Sequence, residues 1–270
     1  MPEPPLLQQG IAKLRYYLNR AHIPTRRDDI AILRLKNRHR GRRCFVIGTG
    51  PSLRMDDLDK LAEQGELCLA SNNIFLAFDS TRWRPTYYAV EDHDLAIKSR
   101  EQINRRVHCP TLIPKYLLPV LGRARNRTCF RLLWRVPPPN QPEFSRNLLR
   151  GINCGGTITY TLLQIAAWMG FAESYLLGVD FSYDLGKISP STEFEGQNTY
   201  SYRTKGVRNH FAPEYFKEGQ TVIAPDLESS LRAYQSALAR CHSEGPMKIF
   251  NATRGGRLEL FPRVDFDSLF

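Results

Sequence analysis

Cys44-Phe45-Val46-Ile47-Gly48-Thr49-Gly50-Pro51-Ser52 is the stretch on which the fold turns. Four apolar, β-prone residues run into two glycines, a threonine, a proline and a serine. A charged, helix-compatible segment follows from Leu53 to Gln64. The order is strand, tight loop, helix. Glycines leave backbone N–H groups open, and a helix N-terminus adds partial positive charge, so such a loop suits an anion, usually a phosphate. It is neither common nucleotide fingerprint. A dinucleotide loop places a third glycine where Leu53 stands, and a P-loop requires a lysine followed by Ser or Thr. A plain strand-to-helix turn is the alternative reading of this loop alone.

Beyond the loop, apolar runs alternate with helix-compatible stretches. Leu67 to Ser71 reads as a second strand, followed by Asn72-Asn73, and Thr86 to Val90 as a third, ending at Glu91-Asp92. Residues 94–106 read as helix. Thr111 to Ile113 and Phe130 to Leu133 read as weaker strands, and Pro137-Pro138-Pro139 with Pro142 as a loop. Thr157 to Met169, apolar nearly all round, reads as a buried helix, and Ser174 to Asp180 as a central strand. Asp226 to His242 reads as an amphipathic helix with Asp226 at its N-cap, and Lys248 to Asn251 as the last strand. This alternation predicts an α/β fold: a doubly wound, mostly parallel sheet covered on both faces. Ligands of such sheets bind at the carboxyl ends of the strands. Polar residues gather there, in Gly48-Thr49-Gly50, Ser71-Asn72-Asn73, Glu91-Asp92, Asn153 to Thr157, Asp180 and Asn251 to Thr253. Six such endings on one edge favour a nucleotide site.

The 270 residues are 42% apolar, enough for a substantial core, with no apolar run long enough to span a bilayer. Met1-Pro2-Glu3-Pro4-Pro5 lacks the regions of a signal peptide, so a cytoplasmic protein is expected. Six scattered cysteines form no C-x-x-C pair, so neither zinc nor a disulfide framework is indicated. Residues 1–43 hold eleven Lys or Arg against three acids, +8 of the chain's +11. Within them Leu6, Leu7, Ile11, Leu14, Tyr17 and Leu18 fall at helical spacing, flanked by Lys13, Arg15 and Arg20. Such a helix either touches an anionic membrane peripherally or packs on the domain with a solvated basic face; the second is the plainer reading. Nothing in it marks a nucleic-acid module. The expected organisation is a basic arm over 1–40 and one Rossmann-like nucleotide-binding domain over 41–270, with a lid at 181–220.

Several residues are candidates for chemistry. Gly155-Gly156-Thr157 before a helix repeats the open-backbone logic of the first loop and suits a second anionic group; a tight helix start is the alternative. Asn72 and Asn73 can read sugar hydroxyls or a base edge, or serve as turn residues. Asp180, ending an apolar strand, suits a ribose, a metal or an acceptor hydroxyl. The cluster Glu91-Asp92-His93-Asp94 suits Mg²⁺, although a solvated helix start is the plainer reading. The segment from Phe181 to Gln220 lacks clear periodicity and contains Tyr183, Tyr200, Tyr202, Asn209 and His210, which suits a lid over a leaving phosphate. His210 is the histidine best placed for acid–base work, and Glu214 is a rival.

Seven blocks together resemble the MptE-like domain family: GTGPSL at 48–53, SNNIF at 71–75, PTYYAVED at 85–92, GGTITY at 155–160, YLLGVDFSY at 175–183, NHFAPEYF at 209–216 and NATRGGRLELFPRVDF at 251–266. That family includes archaeal 6-hydroxymethylpterin diphosphokinases and bacterial motility accessory factors, and the nearest likeness is to its short members encoded with surface-polysaccharide genes. More distantly the chain is similar to bacterial lipooligosaccharide sialyltransferases, which share a Gly-Pro-Ser loop, an asparagine after the second strand and a G-[IV]-D-F strand end. The resemblance implies a sialyltransferase-like variant of the Rossmann fold and a transferase that uses a nucleotide sugar, a CMP-sugar first, to extend a glycan or lipid-linked acceptor. Gly48, Thr49, Gly50, Pro51, Ser52 and Asn72 would hold the nucleotide, and Tyr183 and Tyr202 the leaving phosphate. His210 or Glu214 would be the base, because the second lid histidine of that family is Glu214 here. One alternative is a Mg²⁺-dependent diphosphokinase with Glu91, Asp92 or Asp180 as metal ligands; another is a non-catalytic nucleotide- or glycan-binding protein.

Overall fold

The structure, a computed structural model, describes residues 6–21, 23–134, 140–186, 188–191, 199–243, 245 and 247–270. The expected loop at 137–139 lies outside the described residues. Helices α1 (Leu6–Arg20) and α2 (Arg27–Leu35) precede strand β1 (Arg43–Ile47). Then come α3 (Met55–Glu63), β2 (Cys68–Ser71), a 3-10 helix (Asn72–Asp79), β3 (Tyr87–Ala89), α4 (His93–Lys98), α5 (Arg100–Arg106), β4 (Thr111–Pro114), α6 (Leu118–Leu121) and β5 (Arg127–Phe130). The short pair β6 (Leu132–Leu133) and β7 (Ile152–Asn153) leads to α7 (Ile158–Trp168) and β8 (Glu173–Leu177). Three strands follow, β9 (Ile188–Ser191), β10 (Thr199–Arg203) and β11 (Thr221–Ile223), and then α8 (Leu227–Leu238) and β12 (Lys248–Asn251).

The main sheet has seven parallel strands in the order β12-β8-β1-β2-β3-β4-β5. This is the doubly wound α/β sheet that the alternating apolar runs predict. Its strands read as continuous apolar runs because both faces are covered. Cys44 and Val46 face one core with Leu69, Tyr87, Ala89, Leu176 and Ile249. Phe45 and Ile47 face the other with Cys68, Ala70, Tyr88, Tyr175 and Leu177. Helix α7 covers the first face: Tyr160, Leu162, Leu163, Ile165 and Ala166 all lie in that core. The chain winds from β1 outward to β5, then returns to place β8 on β1's other side, so β1 and β8 flank the switch point where their carboxyl ends diverge.

Several elements differ from the sequence expectation. The helix read over 94–106 breaks at Ser99, whose buried hydroxyl donates to Asn73 Oδ1 at 2.8 Å. The helix after the glycine loop starts at Met55, because Leu53 N–H first closes a turn on the Gly50 carbonyl at 3.2 Å. Asn72 and Asn73 open a 3-10 helix that carries Ile74, Phe75, Ala77 and Phe78 into the core. The segment after Asp180 is not irregular throughout: β9, β10 and β11 form a separate antiparallel sheet in the order β11-β10-β9.

The basic arm has two parts. Helix α2 is built into the body, with Ile32 buried, its carbonyl accepting from Trp168 Nε1 at 2.8 Å, and Asp28 accepting from the Cys129 N–H at 3.2 Å. Helix α1 is tied to the body near its C-terminal end and along one edge. Asn19 Nδ2 donates to the Leu149 carbonyl at 3.1 Å, Asn147 Nδ2 donates to the Asn19 carbonyl at 2.8 Å, and Arg150 donates to the Tyr16 hydroxyl at 3.3 Å. The apolar face of α1, expected to pack on the domain, is instead exposed at Ile11, Leu14 and Tyr17. No helix among the described residues is long and apolar enough to cross a membrane.

Candidate functional site

The loops leaving β1 and β8 touch along their backbones. The Gly48 N–H donates to the Leu177 carbonyl at 2.8 Å, and the Gly50 N–H donates to the Gly178 carbonyl at 2.9 Å. This approach explains both glycines of the first loop. A Cβ on Gly48 would stand 2.3 Å from the Gly178 oxygen, and one on Gly50 would stand 1.9 Å from Asp180 Oδ2. Asp180 closes the junction: its Oδ2 accepts from Ser52 Oγ at 2.8 Å and, more weakly, from the Ser52 N–H at 3.4 Å. Burial raises the Asp180 carboxyl above the usual carboxylate range, and the bonds from Ser52 pull it part of the way back. Ser52 and Asp180 therefore brace the loop.

Above this junction opens a cavity of about 1960 Å³. Gly48, Thr49, Gly50, Pro51, Asn72, Asn73, Gly156, Thr157, Asp180, Tyr183, Tyr202, His210 and Glu214 all line it, so residues spread over 167 positions of sequence share one wall. A small-molecule pocket typically measures about 300–1,000 Å³, so there is room for two substrates. Ser52 and Gly155 are not in the lining. Gly155 has a packing reason instead, since a Cβ there would meet the Ala233 Cβ and the Tyr160 ring at 2.5 Å. The sixth polar strand end is also structural: Asn251 Nδ2 donates to the Leu258 carbonyl and Thr253 Oγ1 accepts from the Val179 N–H.

The segment after Asp180 is anchored to the glycine loop through Thr49. Thr49 O accepts from the Phe211 N–H at 3.0 Å and lies 3.2 Å from His210 Nδ1. The Thr49 Oγ1 lies 3.3 Å from the same nitrogen; since a carbonyl can only accept, the Nδ1–H tautomer is the one that satisfies the closer contact, and it leaves Nε2 its lone pair. Nε2 has no hydrogen-bond partner among the described residues. The imidazole stacks on Tyr215 at 3.6 Å between centroids, with Phe216 edge-on at 5.1 Å. Burial in these rings lowers the His210 pKa to about 4, against a smaller opposite effect of the Thr49 carbonyl. The ring is therefore neutral at neutral pH. Glu214, by contrast, is exposed at the cavity wall.

Other candidates have structural duties. Asn73 bridges Ser99 and the Tyr215 carbonyl. Asn72 sits at φ 54°, in the left-handed region, and its carbonyl accepts from the Tyr88 hydroxyl at 2.8 Å. The Asn72 Oδ1 is buried with no hydrogen-bond partner among the described residues. Thr157 caps α7, accepting from the Thr159 N–H, and Gly156 at φ 75° presents that helix's N-terminus to the cavity. Glu91 accepts from Thr161 Oγ1 at 2.7 Å, and Asp92 caps α4 by accepting from the Leu95 N–H at 2.8 Å. Among the described residues no group of three or more His, Cys, Asp or Glu converges as a metal site. The Tyr202 hydroxyl accepts from Asn209 Nδ2 at 3.2 Å, which leaves its own proton to donate.

A solved structure with this architecture is that of a MAf glycosyltransferase from Magnetospirillum magneticum AMB-1. The two share a fold. The match has a TM-score of 0.52 and 16% identity, and it covers 87% of this chain and 35% of that one. The chain thus spans about a third of that protein's length. No family model matches the chain, and no curated protein does.

Three contributors to the cavity have roles that are not evident from sequence reasoning. Tyr215 supplies the stacking face for His210; it lies within the NHFAPEYF block, but its spacing carries no signal of stacking. Asn209 ties the segment to itself, accepting from the Asp184 N–H and donating to the Asp184 carbonyl, both at 2.7 Å. Tyr234, buried on α8, reaches the cavity with its hydroxyl 3.5 Å from Thr157 Oγ1. In the sequence it is simply one apolar position of an amphipathic helix.

Proposed function

We propose that this chain is a glycosyltransferase of the MptE-like type, moving a sugar from a nucleotide-activated donor to a glycan or lipid-linked acceptor. The observation that carries the reading is His210. Its Nδ1 is held against Thr49 of the glycine loop, and the Nδ1–H tautomer leaves Nε2 to take a proton in a cavity at the switch point of the sheet. The acceptor hydroxyl attacks the anomeric carbon, its proton passes to Nε2, and the bond to the nucleotide phosphate breaks. The Gly48 and Gly50 N–H groups are taken by the carbonyls of the β8 loop, so the Thr49 N–H and the hydroxyls of Tyr183 and Tyr202 are the donors proposed for the leaving phosphate. A CMP-linked acidic sugar is the donor favoured by the sialyltransferase likeness.

Calorimetry with CMP-, UDP- and GDP-sugars, followed by a product assay on the donor that binds, tests this reading. Binding of none of them sinks it. His210→Ala is expected to lower the transfer rate by about 10²–10⁴ with little change in donor affinity, and Glu214→Ala by far less. A binding module would respond to neither substitution. A diphosphokinase would instead release AMP from ATP in a Mg²⁺-dependent reaction.

A further inference from the structure

We infer that the outward face of α1 is a docking surface for an anionic lipid bilayer. On a helix advancing about 100° per residue, Leu14 lies about 140° from Asn19 and about 160° from Tyr16, the two residues that tie α1 to the body. The part of the apolar stripe formed by Ile11, Leu14 and Tyr17 is thus turned away from the core, while Leu18 is half-buried near the tied end of the helix. Leu14 is 59% exposed, Tyr17 54% and Ile11 40%. Stripes of this kind on a small helix are usually covered by something. Charge selects the occupant. Arg15 lies on one flank of the stripe and Lys13 on the other, and α1 contains no acid from Leu6 to Arg20. Long basic side chains beside an apolar face let the face enter the acyl boundary while the charges reach lipid phosphates. A second copy of this chain would bring the same positive charge against itself.

The inference is independent of the chemistry in the cavity. Its test is co-sedimentation of the full chain with vesicles of phosphatidylcholine alone and with vesicles of equal parts phosphatidylcholine and phosphatidylglycerol. The expected result is pelleting with the second and not the first, weakened by salt. Leu14→Glu should abolish pelleting, and Lys13→Glu should weaken it by at least about fivefold. Both positions are exposed, so an unchanged melting temperature of the body distinguishes lost docking from lost folding. Pelleting equal on both vesicles, no pelleting, or pelleting that survives Leu14→Glu would overturn the inference. So would a dimer by light scattering that Leu14→Glu converts to a monomer, since a second copy would then be the cover.

Discussion

The neutral state of His210 has a measurable effect on stability. Its pKa in the fold is about 4, against 6.5 in an unfolded chain. Between these values the unfolded chain binds a proton that the folded chain refuses, so stability rises with pH across the window. It is fully present above 6.5 and lost as pH falls to about 4. At about 1.36 kcal/mol per tenfold change in proton affinity, the loss is roughly 3 kcal/mol. Urea unfolding of the wild type and of His210→Gln, at pH values across this window, isolates the effect. Glutamine does not titrate, so its own destabilisation is constant with pH, and other ionisable groups cancel in the difference. The wild type should lose roughly 3 kcal/mol more than the variant on acidification. Ring ¹⁵N shifts of the six histidines give a second reading without unfolding. A His210 midpoint near 6.5, or a wild-type-minus-variant difference flat with pH, would show that the Tyr215 and Phe216 rings do not exclude the charge as described.

Three other outcomes follow from named contacts. Gly50→Ala should cost about 1–3 kcal/mol by thermal unfolding and abolish nucleotide binding by calorimetry, with Asp180→Ala in the same chain recovering part of the stability by making room. Arg254→Leu should cost about 3–5 kcal/mol in urea unfolding, because Asp57, 4% exposed, loses the guanidinium that pairs with both its oxygens; adding Asp57→Leu should return some of it. Asn209→Leu removes both bonds to Asp184 and the one to Tyr202, so limited proteolysis between 181 and 220 should quicken while the melting temperature of the main sheet barely moves.

What the sequence made legible was local and periodic. The apolar runs at β1, β2, β3, β8 and β12 read directly because a strand buried on both faces needs no polar alternation. The glycine loop read as a tight strand-to-helix turn, but the reason for its two glycines, close packing against Gly178 and Asp180, did not. What stayed hidden was adjacency across long separations. Nothing near Gly50 announces that a carboxylate stands behind it, since Asp180 arrives only through the pairing of β1 with β8. The break at Ser99 follows from a hydrogen bond to Asn73, so a pattern continuous through 94–106 could not disclose it. Helix α1 was legible as a helix, but the side it turns to the body is set by Asn19 and Tyr16, which are polar or amphipathic. The sheet of β9, β10 and β11 was missed because three short strands that pair only with one another leave no shared apolar face to read.

The bond between Ser52 and Asp180 spans 128 positions. A ribosome releases β1 and its loop long before β8, so during synthesis the cradle has its floor but no back wall. Strands β2 to β5 can add to β1 one after another while that edge waits open. Any ligand held between the two loops can be captured only once β8 has slid into place. Its binding then reports that the chain has closed its sheet, and it favours the closed state by mass action. A nascent or truncated chain ending before β8 should keep much of its secondary structure and yet be blind to the ligand.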